Sequence, residues 1–89
     1  MQEIKALIVN RLGMHARPAA LFVKTSSKFQ SKIWVRKDDL EVNGKSIMGV
    51  MMLAAAKGST ITVETEGDDE KEAIDALAGL IASGFGEET

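Results

Sequence analysis

Cysteine and tyrosine are absent from this 89-residue sequence, and histidine, proline and tryptophan each occur once. Without cysteine there are no disulfides, no thiolate metal ligands and no thiol nucleophile. A single histidine, His15, leaves a metal ion short of its usual ligands. Trp34 and three phenylalanines are the only aromatic residues, and no basic cluster is dense, which argues against a nucleic-acid partner. The longest apolar stretch, residues 47–56, is interrupted by Gly49 and is too short to span a bilayer. The opening Met1-Gln2-Glu3-Ile4-Lys5 lacks the charged start and long apolar run of a signal peptide. The expectation is a cytoplasmic protein without membrane insertion, built as one domain over residues 1–89. No linker, repeat or low-complexity segment divides it.

Charge is unevenly placed. Residues 1–57 hold ten of the eleven Lys and Arg against four acids, a net +6. Residues 58–89 hold Lys71 against nine acids, a net −8. One reading is a well-solvated surface. The other is a basic face suited to an acidic partner or a phosphate, with an acidic helix turned away from it.

Periodicity separates the elements. Ile4, Ala6 and Ile8 alternate with Lys5 and Leu7 as a first strand. The stretch Asn10-Arg11-Leu12-Gly13-Met14 is a loop. A helix follows, with Ala16, Ala19, Ala20, Val23 and Ser27 at helical spacing as a stripe of small residues suited to close packing. Pro18 lacks an N–H and fits only in a first helical turn, so it fixes the start of this helix and sets His15 at or near the N-cap. Residues 32–36 and 40–42 alternate as strands of a hairpin turning at Lys37-Asp38-Asp39. Ser46 is placed to cap a short helix over 47–53. Residues 60–65, Thr-Ile-Thr-Val-Glu-Thr, form a β-branched fourth strand. Ala73, Ile74, Leu77, Leu80 and Ile81 then make the apolar stripe of a last helix, with Asp69, Glu70 and Glu72 at its positive end. Gly84 ends that helix, and Phe85 folds back on its last turn. The order βαββαβα, with short connections, predicts an α+β fold with helices on one face of an antiparallel sheet.

The middle helix is apolar almost all round, through Ile47, Met48, Val50, Met51, Met52 and Leu53. So small a domain cannot bury them all. The surplus is either extra core or an exposed patch, where flexible methionines suit several partners.

His15 is the one residue placed for chemistry. At a helix N-terminus the backbone N–H groups of Ala16 and Arg17 have no intrahelical partner and favour an anion. Arg17 adds a planar fork that matches phosphate oxygens. Imidazole, with an ordinary pKa of about 6.5, offers a neutral nucleophile at cell pH. No acid–base constellation accompanies it. That suits a carrier, because phosphoryl transfer asks chiefly for positioning and charge stabilisation. A nucleotide loop is not an alternative: Gly44-Lys45-Ser46 has the ending of a P-loop, but Asp39 stands where its first glycine belongs.

Two segments carry a family resemblance. Gly13-Met14-His15-Ala16-Arg17-Pro18-Ala19 resembles the active-site signature of HPr, the histidine-containing phosphocarriers of the bacterial phosphoenolpyruvate-dependent phosphotransferase system. Lys45-Ser46-Ile47-Met48-Gly49-Val50-Met51 resembles that family's second signature, around a regulatory serine. The resemblance implies an open-faced β-sandwich with strand order 1-4-2-3 and three helices on one face. It implies that His15 accepts a phosphoryl group on Nδ1 from enzyme I, charged by phosphoenolpyruvate, and donates it to an enzyme II A component. Arg17 would stabilise the phosphate. The protein would then be a stoichiometric carrier rather than an enzyme, a monomer without cofactor, acting in sugar transport and carbon catabolite regulation. Partners would dock between the first and second helices, on Ala20, Ile47, Met48 and Met51.

Ser46 is a preferred N-cap, which alone explains its presence. The resemblance adds phosphorylation by HPr kinase/phosphorylase, with a transcriptional regulator as a possible reader of the modified form. Leu12 departs from many sugar-system members, which place a small polar residue there to cap the first helix or touch the phosphate. In this respect the loop is closer to the nitrogen-related branch or to mainly regulatory systems. A module that only binds regulators through Ser46 is the competing reading, although retention of His15, Arg17 and Pro18 favours a carrier.

Overall fold

The computed structural model describes residues 1–89 in full. Seven main elements follow one another: β1 (Gln2–Leu7), α1 (Ala16–Ser26), β2 (Lys32–Lys37), β3 (Leu40–Asn43), α2 (Ile47–Met52), β4 (Thr60–Glu66) and α3 (Glu70–Ala82). The strands form one antiparallel sheet in the order β1-β4-β2-β3. Register shows how alternation in the sequence becomes a core. Ile4 pairs with Val63, Val63 with Val35, and Val35 with Val42, so one apolar row crosses all four strands. Side chains in such a row share a face. Ile33, Val35, Ile61 and Val63 are buried, and Lys32, Trp34 and Glu64 stand on the other side of the pleat.

Helix α3 packs on β1 and β4, and α1 lies against α3 and α2. In α3 the buried residues are Ala73, Ile74, Leu77 and Ile81, as its periodicity predicts. The inward face of α1 is rotated from the expected one. Pro18, Ala19, Phe22 and Ser26 are buried, while Ala16, Ala20 and Ser27 are exposed. Phe22 decides this: its ring is among the largest fully buried side chains, and the apolar area it removes from water outweighs what several alanines could. Pro18 falls at the third helical position, inside the first turn.

A chain reversal after α3 bears on the site. Helix α3 ends at Ala82 with Ser83 as its C-cap, and Gly84 takes φ +67°, in the left-handed region open to glycine. Phe85 follows at φ +58°, a conformation costing a non-glycine residue on the order of 1–3 kcal/mol. Its ring is buried, which offsets that cost and turns residues 86–89 back toward the N-terminus of α1. A separate clasp ties the start of α3 to the loop before β2. Asp69 stands at the N-cap of α3 but does not cap it; its carboxylate accepts from the Gln30 N–H and Ser31 N–H, both at 2.9 Å, and from the Ser31 hydroxyl. No helix is long and apolar enough to cross a membrane.

Candidate functional site

The loop before α1 is held from inside. Asn10 is fully buried, and its Nδ2 donates to the Gly13 carbonyl at 2.7 Å. The Gly13 N–H returns to the Asn10 carbonyl, and the Met14 N–H reaches the Ala55 carbonyl at 2.8 Å. Gly13 sits at φ +70°, and a Cβ there would lie 2.5 Å from the Ala55 oxygen. Only glycine fits this approach. Met14 is buried and anchors the loop.

His15 follows at the N-cap with extended backbone angles, φ −88° and ψ −168°, as Pro18 predicts. Its carbonyl accepts from the Ala19 N–H at 3.0 Å, closing the first helical turn. The N–H groups of Ala16 and Arg17 have no partner within the chain. The Arg17 side chain is exposed and makes no ion pair. It borders an open cleft of about 440 Å³ with Arg11, Leu12, Gly86, Glu87 and Glu88. His15, Ala16 and Arg17 thus stand together at the N-terminus of α1, beside two unpartnered N–H groups and an unpaired guanidinium.

The His15 ring is not free on both sides. Nε2 lies 3.0 Å from both Oε1 and Oε2 of Glu87. Asn10 Nδ2 donates to Glu87 Oε1 at 3.0 Å. The hydrogen bond from His15 holds the Glu87 carboxyl below the usual range, and Asn10 and the Arg17 charge act in the same direction against burial. The Glu87 side chain is only 13% exposed, the His15 side chain 37%. Glu88 pairs with Arg11 at 3.6 Å, and the Arg11 N–H donates to the Glu88 carbonyl at 2.7 Å, so the returning tail is fastened at two points. Glu87 and Asn10 are site residues that the sequence does not single out. The Gly84 stop and the Phe85 fold-back announce that the chain reverses, but no local pattern says where it lands.

Ser46 caps α2, accepting from the Gly49 N–H at 3.1 Å. Beyond it Val50 and Leu53 are buried, and the surplus apolar residues are not. Ile47, Met48, Met51 and Met52 are exposed, Met48 by 74%. Ala20 is exposed on α1, the helix packed against α2. Leu12, at 71% exposure, adds a further apolar side chain beside Arg17.

An open-faced antiparallel sheet under three helices, with its lone histidine at a helix N-terminus, has the architecture of small phosphocarriers. The chain matches the family described as the PTS HPr component phosphorylation site over residues 2–83. The phosphocarrier protein HPr of Neisseria meningitidis is 59% identical over 80 residues, covering 90% of both chains. The crystal structure of HPr-C-His from Thermoanaerobacter tengcongensis superposes with a TM-score of 0.95 at 57% identity, covering 100% of each chain. An HPr dimer from the same organism superposes with a TM-score of 0.79. The chain therefore belongs to the HPr family, the bacterial phosphocarrier component of the phosphotransferase system, and is a carrier rather than an enzyme.

Proposed function

We propose that His15 accepts a phosphoryl group on Nδ1 from enzyme I, charged by phosphoenolpyruvate, and donates it to an enzyme II A component. The observation that carries this reading is the N-terminus of α1, where His15 adjoins the unpartnered N–H groups of Ala16 and Arg17 and an unpaired guanidinium. In the forward step the Nδ1 lone pair attacks phosphorus, and the bond from phosphorus to the donor atom on enzyme I breaks. The dianionic group arrives where donors and dipole already stand, so little reorganisation is required. The reverse step hands it on by the same geometry. The exposed side chains of Ile47, Met48 and Met51, with Ala20, form the docking face that the two partners use in turn. A monomer suits this exchange, because one face must be free for each partner in succession. The carrier works in the cytoplasm, without cofactor, nucleic acid or membrane insertion.

Ser46 is the point of control in this reading. A serine kinase of the HPr kinase/phosphorylase type would add a charge of about −1.5 to −2 at the start of α2. The helix end tolerates that charge, so the fold persists. The neighbouring apolar face does not, so docking fails. The modified form then becomes available to a transcriptional regulator.

The test is incubation with phosphoenolpyruvate and enzyme I. One acid-labile phosphate per chain is expected, absent from His15→Ala, with Ser46→Asp accepting it more slowly. Full labelling of His15→Ala would overturn the assignment.

A further inference from the structure

We infer that Glu87, held in place by Asn10, is a positioning residue that keeps the proton of His15 on Nε2 and so presents Nδ1 as the nucleophile. The inference rests on the reading of His15 as phosphoryl acceptor and identifies what prepares it.

An ionised carboxylate is acceptor-only, so a carboxylate at 3.0 Å from Nε2 through both oxygens requires the proton on Nε2. Proton placement on one ring nitrogen follows from the hydrogen bond made at the other, and here Nδ1 has no partner within the chain. Its lone pair is left for phosphorus. A carboxylate behind an imidazole also fixes ring orientation, as partners of metal-bound histidines do.

Asn10 supports the carboxylate from the other side. Its amide orientation is determined by two acceptors, the Gly13 carbonyl at 2.7 Å and Glu87 Oε1 at 3.0 Å. The amide oxygen is left buried without a partner. A buried carbonyl without a hydrogen bond is destabilising, and a leucine or valine would avoid it. The asparagine is nevertheless what ties the Gly13 turn, the Glu87 carboxylate and, through Glu87, the His15 ring into one unit. The tail that delivers Glu87 is itself fixed by the buried Phe85 ring and by the Arg11–Glu88 contacts. The 72-residue separation of His15 and Glu87 in the chain is thus closed by a built connection rather than a chance surface pair.

The experiment combines nitrogen NMR of the His15 ring above pH 8 with single-turnover phosphorylation by phosphoenolpyruvate-charged enzyme I. The wild type should show Nε2 protonated and Nδ1 bare. Glu87→Ala, a change in a tail that leaves the core intact, should mix the two tautomers and slow phosphorylation about tenfold. Glu87→Gln, whose amide oxygen still accepts from Nε2–H, should keep the tautomer and recover part of the rate. Asn10→Asp, which replaces the donor with a second carboxylate, should displace Glu87 and reproduce the Glu87→Ala spectrum. A wild-type rate or a wild-type tautomer distribution in Glu87→Ala overturns the inference. Failure of the wild type to take phosphate on His15 overturns the carrier reading instead, and the ring spectra then still decide the tether.

Discussion

Replacing Gly13 with alanine strikes the loop that carries His15 at its tightest point. The backbone there is at φ +70°, where an L-residue with a Cβ loses roughly 1–2 kcal/mol. The new Cβ would stand 2.5 Å from the Ala55 oxygen and 2.9 Å from the Ala56 Cα, both backbone atoms that cannot swing aside. Relieving the overlap means separating the two segments, and the hydrogen bond from Met14 N–H to the Ala55 carbonyl, 2.8 Å long, lies directly across that gap. Losing it costs about 1 kcal/mol more. The total is about 2–3 kcal/mol, which for a domain of this size lowers the melting temperature by roughly 10–20 °C. Two other glycines separate the contributions. Gly58 has φ +91° but open space around its Cβ direction, so Gly58→Ala should show the backbone cost alone. Gly79 lies in α3 with nothing within 4 Å, so Gly79→Ala should stabilise the helix by up to about 1 kcal/mol. The assay is thermal and urea unfolding of all three, followed by phosphorylation of the folded fraction by enzyme I. If Gly13→Ala melts no lower than Gly58→Ala, the close approach to Ala55 does not constrain the loop and the reasoning is refuted.

Ser46→Ala removes the cap on α2 and should cost about 1 kcal/mol in urea unfolding, whereas Ser46→Asp should retain the cap and lose transfer rate rather than stability. Met48→Asp changes a side chain that is mostly in water, so stability should move by less than about 0.5 kcal/mol while transfer from enzyme I slows; a normal rate would remove the exposed face of α2 from the docking surface. The Asp69 carboxyl is depressed first by the Ser31 hydroxyl and then by the Gln30 N–H. Its contribution to stability is therefore complete above the unfolded value near 3.9 and is lost as pH falls through the lower folded value. Acid titrations of Asp69→Asn should lack that part of the slope, and a titration superimposable on the wild type would contradict the clasp.

Much of the fold is legible in the sequence because it is written in local periods. Alternation over 60–65 is an inner strand of the sheet, Pro18 marks the first turn of α1, and Ser46 and Gly84 mark helix ends. The failures have one cause, contacts made across long stretches of chain. Small residues at helical spacing pointed to the wrong face of α1, because only the assembled sheet shows that the Phe22 ring needs the deepest place. Asp69 looked like a dipole partner and is instead a tie to the loop before β2. At the candidate site His15, Ala16 and Arg17 stand next to one another in sequence, so helix-end physics alone assembled them. Glu87 comes from the far end of the chain, and Asn10 had the composition of an ordinary loop residue. Nothing periodic connects either to an imidazole.

The most direct measurement of the central claim is nitrogen and phosphorus NMR of the protein after phosphorylation by enzyme I and phosphoenolpyruvate. A single phosphoryl group bonded to Nδ1 of His15, with Nε2 still protonated, is the predicted result. A phosphoryl group on Nε2, or on any residue other than His15, would contradict it.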